Sequence, residues 1–255
     1  MSRTRHTADD EPHFIVRSTG GAQPAGHEIR PHQHAWGQLI YSASGVMTVS
    51  TIRGFWVVPP HWALWAPAGA EHAINFTGAA EMRTLYLSPT AWPDLPAACS
   101  VVTVSSFLRE MILRAVEIGM LDDREPTHGA LALLIVDAIR TQPTPALDLP
   151  LPVSPDLRAV ANELSKSNAP NAMPCVARRF GFGLRTLERR FQTETGMSIG
   201  QWRRKARLMQ SLRRLAAGCT VKDAALDAGY ASSSAFVSAF SAMFLTTPGR
   251  YFAGS

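Results

Sequence analysis

One sequence pattern occurs twice in the C-terminal half and restricts what that half can fold into. A small residue is followed four positions later by glycine, then by an aromatic residue and a run with apolar positions four apart. The copies run from Ala177 to Phe191 and from Ala225 to Phe240, and their glycines are 48 residues apart. The small residue lets two helices approach closely, and the glycine accepts the backbone of a tight turn. The pattern therefore predicts two helix-turn-helix units.

The segment between the two units, SIGQWRRKARLMQSLRRLAAG, predicts one long helix. Ser198 is the expected N-cap, and Gly218 is the expected residue after its end. One stripe is apolar, and six of the other positions are basic. About 20 residues at ~1.5 Å each span roughly 30 Å, close to the ~34 Å of one DNA turn. A helix of this length would suit two reading helices in successive major grooves.

Charge divides the chain in the same way. Residues 155–255 contain 15 Lys and Arg against 6 Asp and Glu, a balance of +9, whereas residues 1–154 contain 10 against 14, a balance of −4. Only the C-terminal part is therefore expected to approach a polyanion. The three cysteines form no CxxC pair, so we expect a reducing, cytoplasmic location. Neither a signal peptide nor a membrane-spanning segment is predicted.

The N-terminal half has a different period. Short apolar runs at 13–90, punctuated by Gly and Pro, predict an antiparallel sandwich or barrel. From Ser105 the period becomes helical, and two helices are predicted, which would cover the β-domain or seal a dimer. Their expected apolar positions are Phe107, Leu108, Met111, Val116 and Met120, then Leu131, Leu134, Ile135 and Ala138. The fold class is thus α+β, with a domain at 1–140, a proline-rich linker at 141–155 and an all-α domain at 156–255.

The helical half resembles the DNA-binding domain of the AraC/XylS family of transcription regulators. The matching stretches are LRTLERRFQTETGMS, QWRRKARL, GCTVKDAALDAGYASSSAFVSAF and TPGRYF. The resemblance implies that the second helix of each unit enters the major groove of double-stranded operator DNA. By motif position, the implied base-contacting residues are Arg185, Glu188, Arg189, Ser233, Ser234, Val237 and Ser238. Phosphate contacts are predicted for Arg190, Arg203, Arg204, Lys205 and Arg213, with a salt bridge as the alternative for Arg190.

A second resemblance concerns histidines of the β-rich half. On a regular strand His32 and His34 would share a face, with Gln38 further along it. The spacing from Gly26 through these residues to Gly45 resembles the first sequence motif of cupins, and PAGAEH, which ends at His72, resembles the second. A cupin-like β-barrel or jelly roll is implied.

In such a barrel, His32, His34, Gln38 and His72 would bind an effector or a divalent metal ion, with Zn, Ni, Cu and Fe as candidates. Metal-binding cupins carry glutamate at the position of Gln38. A barrel that has lost its metal and binds an organic effector is therefore the alternative.

The leading hypothesis is a DNA-binding transcriptional regulator that responds to a metal ion or small molecule in its barrel and forms a homodimer. Two alternatives stay open, a cupin oxygenase fused to a DNA-targeting domain and a regulator that needs no effector. Residues 1–154 offer no obvious acid–base partner beyond Glu71, which favours a regulator over an enzyme.

Overall fold

The computed structural model describes residues 13–52, 54–141, 149–166, 172–244 and 246–252. The described chain divides into two compact units. The first unit contains the described residues up to 49 and those from 58 to 141. The second unit contains those from 50 to 57 and from 149 onward. Residues 142–148, about half of the predicted linker, lie outside the described residues.

Antiparallel strands and two helices build the N-terminal part of the chain. In chain order the elements are β1 (Phe14–Gln23), β2 (Glu28–His32), β3 (Gly37–Ser42), β4 (Met47–Thr51), β5 (Gly54–Val58), β6 (Trp62–Ala66), β7 (His72–Phe76), β8 (Ala80–Leu87), β9 (Ser100–Thr103), α1 (Ser106–Ile118), β10 (Met120–Asp122) and α2 (Pro126–Thr141). One sheet has the order β10-β1-β8-β3-β6-β9, and β4, β7 and β2 are neighbours in a second. The predicted cupin-like β-fold with helices is confirmed.

Strand β3 is buried at all six of its residues because both faces of its sheet are covered. Successive side chains of a strand point to opposite faces. Leu39 and Tyr41 belong to the core that the six-stranded sheet forms with α1 and α2. Gln38 has the opposite parity and contacts His72 of the second sheet. The interior between the sheets thus receives a buried polar side chain.

Helices α1 and α2 bury only some of the apolar positions named from the sequence. In α1 the buried residues are Leu108, Met111, Ile112 and Ala115. Phe107 is 64% exposed, and Met120 lies beyond the helix in β10. In α2 the buried residues are Ala132, Ile135, Val136 and Ile139, whereas Leu134 is 46% exposed. Helix α2 is apolar around most of its circumference, so periodicity alone could not select the face that the sheet covers.

The C-terminal part of the chain is helical apart from one short strand. Its described elements are β11 (Leu149–Pro150), α3 (Pro155–Lys166), α4 (Ala172–Arg179), α5 (Leu184–Thr195), α6 (Ile199–Ala216), α7 (Val221–Asp227), α8 (Ser233–Phe244) and α9 (Pro248–Phe252). Strand β11 lies inside the segment predicted as an unstructured linker and pairs with β5. A Cβ atom on Gly54 would lie 2.6 Å from the Leu149 carbonyl oxygen, so the pairing needs glycine there.

The two turns of the repeated pattern have the same hydrogen bonds. The N–H of Phe182 donates to the Ala177 carbonyl at 2.8 Å, and the N–H of Tyr230 donates to the Ala225 carbonyl at 3.0 Å. Gly181 and Gly229 have φ values of 72° and 74°. This is the Schellman ending of a helix, which places glycine in the left-handed region. Two helix-turn-helix units, α4–α5 and α7–α8, are therefore confirmed.

Helix α6 connects the two helix-turn-helix units, as the sequence predicts. Ser198 and Gln201 form a capping box at its start, and Gly218 follows its end with φ 87°. Its 18 residues span about 27 Å. The predicted stripe is buried at Ile199, Trp202, Ala206, Met209 and Leu212. Within the described residues, no helix combines the length and the apolar character needed to cross a membrane.

Candidate metal site and DNA-binding surface

Three histidines meet at the edge of the first unit. His32 ends β2 and is paired in register with His72, the first residue of β7. His34 lies in the loop after β2, so the expected regular strand through both residues is wrong. The loop nevertheless brings His34 to the other two, and one ring nitrogen of each histidine lies within 4.8 Å of the others. The predicted cluster forms, although by a different backbone path.

Backbone carbonyls determine which nitrogen of each imidazole carries hydrogen. Nδ1 of His32 lies 2.8 Å from the Arg30 carbonyl oxygen, and Nδ1 of His34 lies 2.5 Å from that of Trp36. Nδ1 of His72 lies 2.8 Å from the Ala70 carbonyl oxygen. A carbonyl oxygen only accepts, so each Nδ1 must donate. In the neutral ring, Nε2 then offers a lone pair, which is the form that binds metal ions.

Gln38 adds an oxygen to this group. Its amide Nε2 donates to Thr84 Oγ1 at 2.9 Å, and the Thr84 hydroxyl donates to the Leu39 carbonyl at 3.0 Å. This chain directs Gln38 Oε1 towards the histidines, at 2.8 Å from Nε2 of both His34 and His72. Thr84 was not predicted as a site residue, and its only signal in the sequence is a polar residue within the apolar run MRTLYLS.

The arrangement brings the amide oxygen of Gln38 close to imidazole Nε2 atoms, which carry a lone pair when the ring is neutral. Burial lowers the pKa of His72 to about 4, so this ring is neutral near pH 7. An amide oxygen beside a neutral imidazole lone pair is unfavourable unless a cation lies between them. The described residues of the cluster include no Asp or Glu, and Glu71 beside it is exposed. Three imidazole nitrogens and the Gln38 oxygen can therefore hold a metal ion. The Tyr86 ring packs edge-on against His34, with ring centres 5.1 Å apart.

The second helices of the two helix-turn-helix units, α5 and α8, carry the residues predicted to contact bases. In α5, Arg185 and Arg189 are exposed, while Leu187 and Phe191 are buried. Glu188 is half-buried, and its carboxylate accepts from the Ile199 N–H at 3.1 Å. This contact ties one carboxylate oxygen of Glu188 to the start of α6. Among the residues of α5 that were predicted to contact bases, Arg185 and Arg189 are the exposed ones.

The residues predicted to contact bases on α8 have shorter side chains than those on α5. Ser234 and Ser238 are exposed, and Ser233 and Val237 are half-buried. The opposite face packs through Phe236, Phe240 and Phe244. The exposed side of α8 thus offers hydroxyl groups and no arginine among the predicted positions, which limits it to short-range contacts.

The residues predicted to contact phosphate differ in their surroundings. Arg204 is exposed, and Arg203 and Lys205 are half-buried. Arg190 pairs with Asp156 at 2.9 Å, so the salt-bridge alternative describes its contact in this structure. The guanidinium of Arg213 lies 5.3 Å from the centre of the Phe55 ring, and burial lowers its pKa.

Comparisons with known proteins identify both halves. Residues 15–144 match the family model described as an AraC-like ligand binding domain, and residues 176–254 match one described as a helix-turn-helix domain. The chain belongs to the AraC family of transcriptional regulators. Its 34% identity to the HTH-type transcriptional regulator NimR of Escherichia coli K12 extends over 223 residues, which cover 87% of this chain and 81% of NimR.

The comparison with solved structures includes ToxT and a cupin superfamily protein, both at low TM-scores. ToxT from Vibrio cholerae aligns with a TM-score of 0.39 and 10% identity, covering 94% of this chain and 98% of ToxT. A cupin superfamily protein from Desulfitobacterium hafniense aligns with a TM-score of 0.28 and 19% identity, covering 29% of this chain and 68% of the cupin. This AraC-family chain is a DNA-binding regulator with a ligand-binding domain, and the oxygenase alternative is set aside.

Proposed function

We propose that a divalent transition metal ion, bound by His32, His34, His72 and Gln38, is the effector that controls DNA binding by this regulator. The observation that carries the proposal is the convergence of three imidazole lone pairs and an amide oxygen, each oriented by a backbone or Thr84 hydrogen bond. Three imidazole ligands suit Zn²⁺, Ni²⁺, Cu²⁺ and Fe²⁺. Oriented ligands of this kind are the usual support of protein metal sites.

Metal content and DNA affinity together test the proposal. We expect one metal ion per purified chain by elemental analysis, and loss of that ion in His32→Ala and His72→Ala. His27→Ala, which removes an exposed histidine outside the cluster, should keep it. On DNA from upstream of its own gene, added metal should change wild-type affinity about fivefold or more, with no change in the two variants. Full metal loading without any effect on DNA affinity would favour an effector-independent regulator.

We propose that Arg185 and Arg189 read base edges in one major groove and that Ser233, Ser234, Val237 and Ser238 contact bases in a second. Exposure of both arginines supports this, since arginine pairs with guanine O6 and N7 through two hydrogen bonds. Arg204 is the best exposed of the predicted phosphate contacts, with Arg203 and Lys205 beside it. We propose that this regulator acts in the cytoplasm.

Arg185→Ala is expected to cost about 1–3 kcal/mol of binding free energy at one base position and to relax specificity there. Fluorescence anisotropy with a panel of single-base operator variants measures this. Arg178→Ala removes the same charge from an exposed site on α4 and should leave the base preferences unchanged. An equal loss on every operator variant would show that Arg185 contacts phosphate instead.

We propose that the chain forms a homodimer through its first unit. Leu133 and Leu134 of α2 are 53% and 46% exposed, and Phe107 of α1 is 64% exposed. Exposed apolar groups on helices that already cover a sheet are typical of subunit contacts. Sedimentation equilibrium should give a dimer for the wild type and a monomer for Leu134→Glu. Leu226→Glu, at a 73% exposed site of the second unit, is the matched control and should remain a dimer.

A further inference from the structure

A cavity of about 410 Å³ lies in the second unit, between the second half of α6 and helix α7. Its lining includes Arg207, Arg213 and Arg214 and a single acidic residue, Asp227. The lining therefore has a formal charge of +2. The carboxylate of Asp227 pairs with Arg214 at 2.5 Å.

The cavity exists because the side chains on its α6 wall are long and charged, whereas those on its α7 wall are short. Arg207 and Arg214 are seven residues apart, so they lie on one face of α6, separated by about 10 Å along its axis. Helix α7 and its C-cap contribute Ala224 and Ala228, which are both buried and end at Cβ. Two alanines four residues apart leave the space opposite the arginines open.

Burial and mutual repulsion act on the arginines around the cavity. Burial lowers the pKa of the Arg213 guanidinium, because this group has lost part of its hydration. Nε of Arg207 is buried and has no hydrogen-bond partner within the described residues. The charge of Arg207 also lowers the pKa of neighbouring Arg203, although burial of Arg203 is the larger cause. An anion in the cavity would relieve this repulsion and offer acceptors to the guanidinium groups.

We propose that this cavity binds a small phosphorylated molecule through Arg207, Arg213 and Arg214. Planar guanidinium groups pair with phosphate oxygens through two parallel hydrogen bonds, and a tetrahedral phosphate can accept from several at once. A volume of about 410 Å³ exceeds what inorganic phosphate alone fills and falls in the range of ligand pockets, about 300–1,000 Å³. The cavity lining shares no residue with the histidine cluster or with the predicted base-contacting residues of α5, so this site does not depend on the metal proposal.

Calorimetric titration of the full chain with inorganic pyrophosphate, in the absence of DNA, tests the site. We expect one pyrophosphate per chain and a loss of about tenfold or more in affinity for Arg207→Ala and for Arg214→Ala. Arg207→Lys keeps the charge without the planar fork and should lie between these variants and the wild type. Arg250→Ala, which removes an exposed arginine of α9, should bind within about twofold of the wild type. Circular dichroism melting identifies any variant that has lost its fold.

Repeating the titration on His72→Ala excludes the heat of a metal ion drawn from the barrel by pyrophosphate, and binding there should be unchanged. Three results would overturn the proposal. One is an equal loss in Arg250→Ala, which would indicate unspecific charge attraction. Another is tighter binding of citrate than of pyrophosphate. The third is the absence of pyrophosphate binding to the wild type. If Arg207→Ala then also flattens the salt dependence of DNA binding, the cavity serves the DNA backbone instead.

Discussion

Zinc at a thousandfold excess over its dissociation constant is expected to raise the unfolding free energy of the first unit by about 4 kcal/mol. The four ligand atoms meet only in the folded chain, because Gln38 and His72 lie 34 residues apart and belong to different sheets. A ligand that binds the folded state alone stabilises it in proportion to the logarithm of its concentration. Amide hydrogen exchange of β2, β3 and β7 should slow by about a thousandfold in saturating zinc.

Two substitutions and a control define this effect. His72→Ala should abolish the zinc-dependent protection, and His27→Ala should retain it. Gln38→Glu adds the carboxylate that the cluster lacks and should raise zinc affinity about tenfold or more, which corresponds to about 1.4 kcal/mol. Without metal the same variant should be less stable than the wild type, since it buries a charge. Equal protection in wild type and His72→Ala would place zinc elsewhere and contradict the assignment.

The strands and the repeated turns were predictable because their signals are local. A run such as QLIYSA is bounded by turn residues and became β3, within one or two residues of its observed ends. Gly181 and Gly229 each follow a helix that ends with a residue in the left-handed backbone conformation. Glycine adopts this conformation most readily, so its position in the sequence indicates the turn. The same holds for Ser198, whose capping box with Gln201 lies within one helical turn.

The faces of the covering helices were not predictable in the same way. Helix α2 has leucines at 131, 133 and 134 and also buries Ile135 and Val136. Several stripes therefore satisfy a helical period, and the choice is made by the sheet on which the helix packs. The prediction named both Leu134 and Ile135 as apolar positions that would cover the β-domain or seal a dimer, and in the structure Leu134 is exposed whereas Ile135 is buried.

Contacts between residues far apart in sequence explain the remaining differences at the candidate sites. The orientation of Gln38 depends on Thr84, 46 residues away, and no spacing motif includes that pair. Glu188 matches a base-contacting position of the family but accepts from the Ile199 N–H. Arg213 matches a basic helix surface but stacks on Phe55, which precedes it by 158 residues. A motif therefore identified the residue types, and tertiary partners decide which of them are accessible.

Trp202→Ala is expected to destabilise the second unit by about 3–5 kcal/mol, the usual cost of emptying a large aromatic site. The Trp202 ring is fully buried and packs edge-on against Phe191 of α5 at 5.5 Å. Its indole N–H donates to the Pro150 carbonyl of β11 at 2.7 Å. One side chain thus joins α6 to the helix that carries Arg185 and Arg189, and its loss should also weaken DNA binding.

Urea unfolding followed by the helical circular dichroism signal measures this cost. Trp202→Phe keeps most of the apolar contact with Phe191 and loses the bond to Pro150, so we expect about 1–3 kcal/mol. Leu226→Ala, at an exposed site of α7, should change stability by no more than about 0.5 kcal/mol. If Trp202→Ala cost no more than Trp202→Phe, the indole hydrogen bond would account for the whole effect. The packing of α6 against α5 would then not be what holds Arg185 and Arg189 in place.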